Sequence, residues 1–333
     1  RWPGFVRFID ERVKPFLVDK LVDPFYIERF AEEQRKEVPS GIFPRPNCVE
    51  VALWDIMGKK AGLPVYKLLG AYRNKIKVYV SMMTKWPRFT PQEYAVLAVR
   101  LREKGYRAIK MHVDDPNWEN DIARVKAVRD ALGNDIDIMF DAESEGLSGP
   151  GTGLPYSTCL RIGRALEKLE VLWYEGVLSH YMYPELTKKL ADELDIPIAG
   201  GGQFYGWHQF MRILDIVDIV QPDAQYCGGI LEAKKISFLA QTRGKQCVFH
   251  SGYGPGLAIT ADLHAACASP INDWFEFGFF EPGFPIRVRD VYLTKPQEID
   301  RNGYLHVPDG PGLGVEINEE ALRKCTVEKS KGA

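Results

Sequence analysis

From about Lys75 to Phe277 the sequence alternates short apolar runs of β type with amphipathic helical runs. This alternation predicts a parallel sheet whose strands are joined by helical crossovers. Eight runs are candidate strands: Lys77–Met82, Ala108–Val113, Ile136–Asp141, Leu172–Glu175, Pro197–Gly200, Ile219–Pro222, Gln246–His250 and Trp274–Phe277. Since eight parallel strands close a barrel, we expect a TIM-like (β/α)8-type fold, with an open doubly wound sheet as the alternative.

Helix and loop signals support the same order of elements. Thr90-Pro91-Gln92-Glu93 forms a capping box with proline at the first helical position, and Gly105 ends the crossover that it begins. After the third strand, the glycine- and proline-rich stretch Glu145–Pro155 is predicted to be a lid loop.

The two ends of the chain do not follow the barrel pattern. Residues 1–73 are predicted to be helical, with helices at Phe5–Val18, Pro24–Lys36 and Asn47–Ala61. Residues 291–333 mix short β runs with strong turn signals. We therefore expect a barrel over residues 74–290 and a smaller α+β capping domain, made of residues 1–73 and the returning tail.

Composition excludes several classes of partner. The chain has 333 residues, 45% of them hydrophobic, and a formal net charge of −2 from 43 basic and 45 acidic side chains. This balance gives no electrostatic reason to bind nucleic acid or an anionic membrane. Six scattered cysteines without a Cys-x-x-Cys pair, and no apolar run of about 18 residues, predict a cytoplasmic protein with a small-molecule ligand.

Ionisable residues mark the carboxyl ends of the predicted strands, where the active site of such a barrel lies. They are Lys110 with His112, Asp141 with Glu143, Glu175, Asp223 and His250, while Glu276 lies in the last strand. Residues two apart on a strand share a face, so both members of each pair can point into the barrel mouth. Carboxylates are the ligands that Mg²⁺ prefers, and a bound cation can neutralise an enediolate. The pattern indicates a cation site flanked by bases, which suits proton abstraction next to a carboxylate.

Short motifs along the chain resemble those of the enolase superfamily, in particular its mandelate racemase subgroup. The matching segments are Val49–Asp55, Leu68-Leu69-Gly70, Ile109–His112, Phe140-Asp141, Trp173–Glu175, Ile196–Gly201, Val220–Asp223, Gly228–Ile230, Phe249–Ser251, Phe275-Glu276 and Val307–Gly314. This resemblance covers essentially the whole chain. It implies a modified (β/α)7β barrel, and an assembly of dimers or octamers.

The resemblance also implies roles for individual residues. Asp141 and Glu175 would be the first two Mg²⁺ ligands. Asp223 and His250 would form a dyad in which His250 is the acid or base, and Lys110 would be the base on the opposite face. Glu276 resembles the last-strand acid that hydrogen-bonds the substrate carboxylate, and His112 takes the place of a second lysine.

The sequence departs from the family pattern at the third metal ligand, where Gly202 replaces an acid or amide. Glu143 is predicted to be the substitute, and Gln203 is a second candidate. A third alternative is that Mg²⁺ binds weakly or not at all, and that His112 supplies part of the positive charge. Family members also begin with a three-stranded meander, whereas the sequence here starts in the helices.

The sequence is compatible with three functions. The favoured hypothesis is a lyase that dehydrates an acid sugar, an aldonate or aldarate, to a 2-keto-3-deoxy acid. An isomerase, either a racemase or epimerase or a lactone cycloisomerase, would use the same first step. A catalytically impaired barrel that only binds its ligand is the third hypothesis, motivated by Gly202.

Overall fold

The computed structural model describes residues 5–20, 24–37, 47–82, 89–112, 115, 117–142, 154–180, 182–251, 254–270, 273–279 and 284–325. Eight strands run parallel along the chain: β1 (Lys75–Met82), β2 (Ala108–His112), β3 (Asp137–Asp141), β4 (Tyr174–Glu175), β5 (Ile198–Gly200), β6 (Ile219–Val220), β7 (Gln246–Cys247) and β8 (Trp274–Gly278). All eight predicted strands are therefore confirmed. The observed strands are shorter than predicted at β4, β6 and β7.

The sheet curls into a ring. Strands β1 to β7 pair in chain order, and β8 pairs with β1 on the other side. A parallel bridge between Phe249 and Phe275 joins the segment after β7 to β8 and closes the circle. The predicted barrel is thus confirmed.

Each of the seven connections between consecutive strands carries a helix on the outside of the barrel. These helices are α6 (Pro91–Glu103), α7 (Trp118–Leu132), α8 (Tyr156–Glu167), α9 (Pro184–Glu193), α10 (Gly206–Ile213), α11 (Ala224–Cys227) with α12 (Ile230–Thr242), and α13 (Gly256–Cys267). Thr90 caps α6 in the predicted capping box, with Glu93 as its partner. Most of the predicted lid, residues 145–153, lies outside the described residues.

The capping helices are α1 (Phe5–Phe8), α2 (Lys14–Leu17), α3 (Pro24–Glu37), α4 (Asn47–Ala61) and α5 (Val65–Leu68), with a π-helical turn at Ile9–Val13 between the first two. A buried carboxylate fastens α4 to the barrel. Glu50 accepts hydrogen bonds from the backbone amides of Ile230 (2.9 Å) and Leu231 (3.0 Å), which begin α12. An anion is favoured there because the first amides of a helix have no partner within the helix.

The tail returns to both the barrel and the cap. After the short α14 (Ile286–Arg289), strand β9 (Tyr304–His306) pairs antiparallel with the beginning of β1, and α15 (Glu319–Cys325) follows. The amide of Val65 donates to the carbonyl of Gly312 at 2.9 Å, so the tail contacts α5 as expected. Among the described residues, no helix combines the length and the apolar character that crossing a membrane requires.

The inside of the barrel is filled in two layers. The lower layer is largely apolar and contains Tyr79, Ala108, Met139, Trp173, Ala199, Ile219 and Val248, one from each of seven successive strand segments. Since side chains alternate along a strand, the residues two positions further on form the next inward-facing layer. That layer is polar, and it lies at the carboxyl end of the barrel.

Candidate active site

The polar layer brings together the residues predicted from the strand ends. Its members are Ser81, Lys110, Asp141, Glu175, Gln221, His250 and Glu276, each two positions after a residue of the apolar floor or after Trp274, which packs against that floor. His112 and Asp223 lie one step higher on their own strand segments. Groups from seven strand segments therefore meet at one end of the barrel, and six of these segments carry a residue named from the sequence.

Lys110 is the centre of the charged groups. Its side chain is fully buried, and its Nζ lies 2.6 Å from Glu175 Oε1, 3.0 Å from Glu276 Oε1 and 3.2 Å from Asp141 Oδ2. Burial alone would lower its pKa, but the carboxylates of Glu175 and Glu276 raise it well above the ordinary value of a lysine. In these surroundings Lys110 is an ammonium ion held by three carboxylates.

His112 lies next to the same acids and is also buried. Its Nδ1 is 3.4 Å from Asp141 Oδ2, and its Nε2 is 2.5 Å from Ser81 Oγ. Asp141 thus faces Lys110 on one side and an imidazole on the other. Register explains the arrangement, because His112 and Asp141 are directly paired residues of β2 and β3.

Asp223 and His250 form the predicted pair. His250 Nδ1 lies 2.7 Å from Asp223 Oδ2, and the other oxygen of Asp223 accepts a hydrogen bond from the Gln225 amide at 2.6 Å. Asp223 is fully buried, whereas 19% of the His250 side chain is exposed. The buried carboxylate therefore fixes Nδ1 of His250, and Nε2 is the ring nitrogen that Asp223 does not bind.

Glu276 lies between the two cations. Its Oε1 contacts Lys110, and its Oε2 accepts from the Ser251 amide at 3.0 Å and lies 3.8 Å from His250 Nε2. Burial would raise its pKa, yet Lys110 and His250 lower it to about 2. The effect is mutual: burial would lower the pKa of His250, but Glu276 and the hydrogen bond to Asp223 raise it to about 9.

Three residues of the site, Ser81, Gln221 and Trp173, were not predicted. Glu175 Oε2 accepts hydrogen bonds from Gln221 Nε2 at 2.8 Å and from Trp173 Nε1 at 2.9 Å. Gln221 could have been found, because it precedes Asp223 by two positions and so shares its inward face. Trp173 carried no such signal, since a tryptophan in a strand is typical of a core.

The described residues supply two of the three predicted metal ligands. Asp141 and Glu175 are paired residues of β3 and β4, whereas Glu143 lies outside the described residues and Gln203 is exposed. A side chain at Gly202 would meet the imidazole, because an added Cβ would lie 2.8 Å from His250 Cδ2. Within the part of the chain that is described, no three acidic, histidine or cysteine side chains are grouped as a metal site.

A cation is nevertheless suited to this layer by charge. Four carboxylates, those of Asp141, Glu175, Asp223 and Glu276, face the ammonium of Lys110 and the imidazole of His250. Counted with ordinary charges and a protonated His250, the group carries two negative charges in excess. Because Mg²⁺ commonly binds through one or two carboxylates and keeps several waters, the donor set fits one such ion.

The chain is similar to known proteins over most of its length. Residues 5–70 match the model of the mandelate racemase / muconate lactonizing enzyme N-terminal domain, and residues 93–321 match the enolase C-terminal domain-like model. It is 34% identical to arabinonate dehydratase of Saccharolobus solfataricus, with 93% of this chain and 79% of the relative covered. It is 31% identical to D-galactarolactone cycloisomerase of Agrobacterium fabrum, with 82% and 71% covered.

Solved structures agree with these relatives. D-glucarate dehydratase from Agrobacterium tumefaciens, complexed with magnesium, superposes with a TM-score of 0.82 at 30% identity, covering 96% of this chain and 84% of the other. Both halves of the chain match family models, and the fold is shared with a solved relative. The chain therefore belongs to the mandelate racemase / muconate lactonizing enzyme family of the enolase superfamily.

Proposed function

We propose that this protein dehydrates an acid sugar, an aldonate or aldarate, to a 2-keto-3-deoxy acid. The observation that carries the proposal is the partly exposed imidazole of His250, whose Nδ1 is held by Asp223 and whose Nε2 lies 3.8 Å from Glu276. Two kinds of relative support the substrate class, since an arabinonate dehydratase and a galactarolactone cycloisomerase both act on sugar acids or their lactones.

His250 performs both proton transfers in this proposal. Loss of a proton from the imidazolium, whose pKa is raised to about 9, leaves Nδ1–H donating to Asp223 and a lone pair on Nε2, which takes the proton α to the substrate carboxylate. The resulting imidazolium then gives that proton to the β-hydroxyl, which leaves as water. The enol that remains tautomerises to the 2-keto-3-deoxy acid, so one C–H and one C–O bond break for each water released.

Nearby positive charge stabilises the negative charge that develops on the enediolate. Lys110 and His112 are the cationic or hydrogen-bonding groups that the chain itself provides on the acid-rich side of the site. Mg²⁺ would be held by Asp141 and Glu175, with Glu143 as a further ligand, and when bound it would neutralise oxygens of the enediolate. Glu276, with a pKa of about 2, is charged, and therefore it orients the two cations instead of donating to a substrate carboxylate.

Among the isomerase alternatives, which include lactone cycloisomerisation, racemisation or epimerisation would need a second base. Lys110 is the candidate, but its ammonium is fully buried and contacts three carboxylates. An amine in that state has no lone pair to offer to a substrate proton. Elimination with His250 as the single acid and base is therefore the function that these contacts favour.

The test is a screen of aldonates and aldarates in D₂O, with and without added Mg²⁺. We expect a 2-keto-3-deoxy acid, its loss with His250→Asn, and unchanged turnover with His306→Asn. His306 is the matched control, because it also pairs with an aspartate, Asp300 at 2.9 Å, but on the exposed surface. Full turnover by His250→Asn would show that the proposed mechanism is wrong. Recovery of deuterium-labelled substrate in both configurations would show that the reaction is racemisation and not dehydration.

A further inference from the structure

A second buried carboxylate lies behind the Asp223–His250 pair. Asp262 projects from α13, and its side chain is fully buried. Its Oδ1 accepts a hydrogen bond from the backbone amide of Ala224 at 2.6 Å. Ala224 follows Asp223 directly and begins α11, so Asp262 holds the peptide that carries the dyad aspartate.

The second oxygen of Asp262 indicates its charge state. Oδ2 is buried and has no hydrogen-bond partner among the described residues. A carboxylate buried with one oxygen unpaired is strongly disfavoured, and protonation removes the charge that makes its burial costly. Burial raises the pKa of Asp262 well above its ordinary range, and the negative charges of Asp223 and Glu276 raise it further. The Cys227 thiol is another titratable group near this acid.

We propose that Asp262 is a positioning residue of the site: as a neutral acid it anchors the Ala224 amide and so fixes Asp223 against His250. A neutral acid provides the anchor without a second negative charge beside Asp223. A charged carboxylate at this position would repel Asp223, and an apolar side chain would leave the Ala224 amide without an acceptor. The proposal assigns to Asp262 no contact with the substrate.

The pKa of His250 reports on this arrangement. The titratable groups that face the imidazole are Asp223, Glu276, Lys110 and Tyr226, whose ring centroid lies 6.2 Å from that of His250. Only Asp223 forms a short hydrogen bond with the ring, at 2.7 Å. A displaced Asp223 therefore lowers the pKa of His250 from about 9 towards the ordinary value of a histidine.

The experiment is an NMR titration of the imidazole in the full chain, with the His250 signal assigned by its loss in His250→Asn. Asp262→Asn keeps a carbonyl oxygen for the Ala224 amide and carries no charge, so we expect the His250 pKa to stay within about 0.3 units. Asp262→Leu removes the acceptor, and we expect the His250 pKa to fall by about 1 unit or more. A His250 pKa that is kept in Asp262→Asn and lowered in Asp262→Leu is a result that general structural damage does not produce.

Two results would overturn the inference. A large shift of the His250 pKa with Asp262→Asn would mean that Asp262 is charged, and an unchanged pKa with Asp262→Leu would mean that it positions nothing. Thr260→Val is the matched control, because Thr260 is a buried polar residue of the same helix whose hydroxyl donates to Gly256 instead. We expect it to reduce stability and leave the His250 pKa unchanged.

Should Asp262→Leu fail to fold, two measurements still decide the question. Asp262→Asn tests the charge of Asp262, and hydrogen exchange at the Ala224 amide of the unaltered protein tests the anchor, with rapid exchange counting against it. The inference rests on the proposed function only for the catalytic use of His250. Because the titration needs no substrate, a failed turnover screen and a failed titration are separate results.

Discussion

Gly202→Ala tests whether the site depends on the close approach of a glycine to His250. The added Cβ would lie 2.8 Å from His250 Cδ2, 3.1 Å from Cγ and 3.3 Å from Nε2. Carbon atoms in ordinary contact are about 3.5 Å apart, so the ring must retreat by about 0.7 Å. That movement strains the 2.7 Å hydrogen bond to Asp223 and displaces the nitrogen that faces the substrate.

The expected effect is larger on turnover than on stability. A misplacement of about 1 Å can cost about 100-fold in rate, so we expect kcat to fall by about 10- to 100-fold. Overpacking costs about 1–3 kcal/mol, partly offset by about 0.4–1 kcal/mol because alanine restricts the unfolded chain. Turnover of the acid sugar found in the screen and denaturant unfolding measure the two effects.

Gly163→Ala is the matched control for this substitution. Its Cβ would lie 2.3 Å from Leu194 Cδ1, so the crowding is as severe, but both residues lie on the outer side of the barrel in α8 and after α9. We expect lower stability and an unchanged kcat. If Gly202→Ala keeps the kcat of the unaltered protein, the imidazole is not held by this contact, and the role assigned to Gly202 is wrong.

Three further substitutions test other parts of the structure. Burial lowers the pKa of His264 to about 4, so between about pH 6.5 and 4 the unfolded chain binds more protons than the folded protein. The free energy of unfolding should therefore fall by about 3 kcal/mol as the pH drops through this window. His264→Gln should flatten that pH dependence in denaturant titrations. Gly229→Ala combines a φ of +118° with a Cβ position 2.2 Å from Glu50 Oε2, and should destabilise the protein by about 2–4 kcal/mol in urea unfolding. Glu276→Gln removes a charge that raises the pKa of His250, so the NMR titration of that ring should move from about 9 towards its ordinary value; an unmoved titration would contradict the assigned charge.

The barrel could be predicted because its signals are local and repeated. Each strand is a short apolar run, and each crossover has a helical face or a cap that can be recognised by itself, as Thr90 and Glu93 show at α6. Strand ends were less predictable, because the run Ile219–Pro222 continues beyond the pairing that stops at Val220. The division of the chain at residues 73 and 290, and the assembly into dimers or octamers, stay predictions.

The site could be predicted where strand alternation alone decides the position of a side chain. Lys110, Asp141, Glu175 and His250 all meet at the barrel mouth, because each lies at or near the end of an inward-facing strand segment. Asp262 could not be found in this way. It lies on a helix, and only the packing of α13 against α11 brings it behind Asp223.

The charge state of Lys110 could not be predicted from the sequence, for a reason that applies to buried sites generally. A lysine that serves as a base needs a lowered pKa, whereas the carboxylates around Lys110 raise its pKa. The sequence names the charged residues but does not say how many acids lie within 4 Å of one ammonium, and that number decides the sign of the shift.

The residue at position 202 affects both metal binding and proton transfer. A carboxylate at this position would have to share the space that the His250 ring now occupies, since even a Cβ comes within 2.8 Å of it. It would also add a third negative charge to the excess of two, and would call for a more firmly bound cation. With glycine, one divalent ion held by Asp141 and Glu175 is enough to neutralise the layer, although two protein carboxylates bind it less tightly than three. We therefore expect turnover to depend on Mg²⁺ concentration and to be lost reversibly on chelation, and turnover that persists without any divalent cation would show that Lys110 and His112 carry the enediolate charge alone.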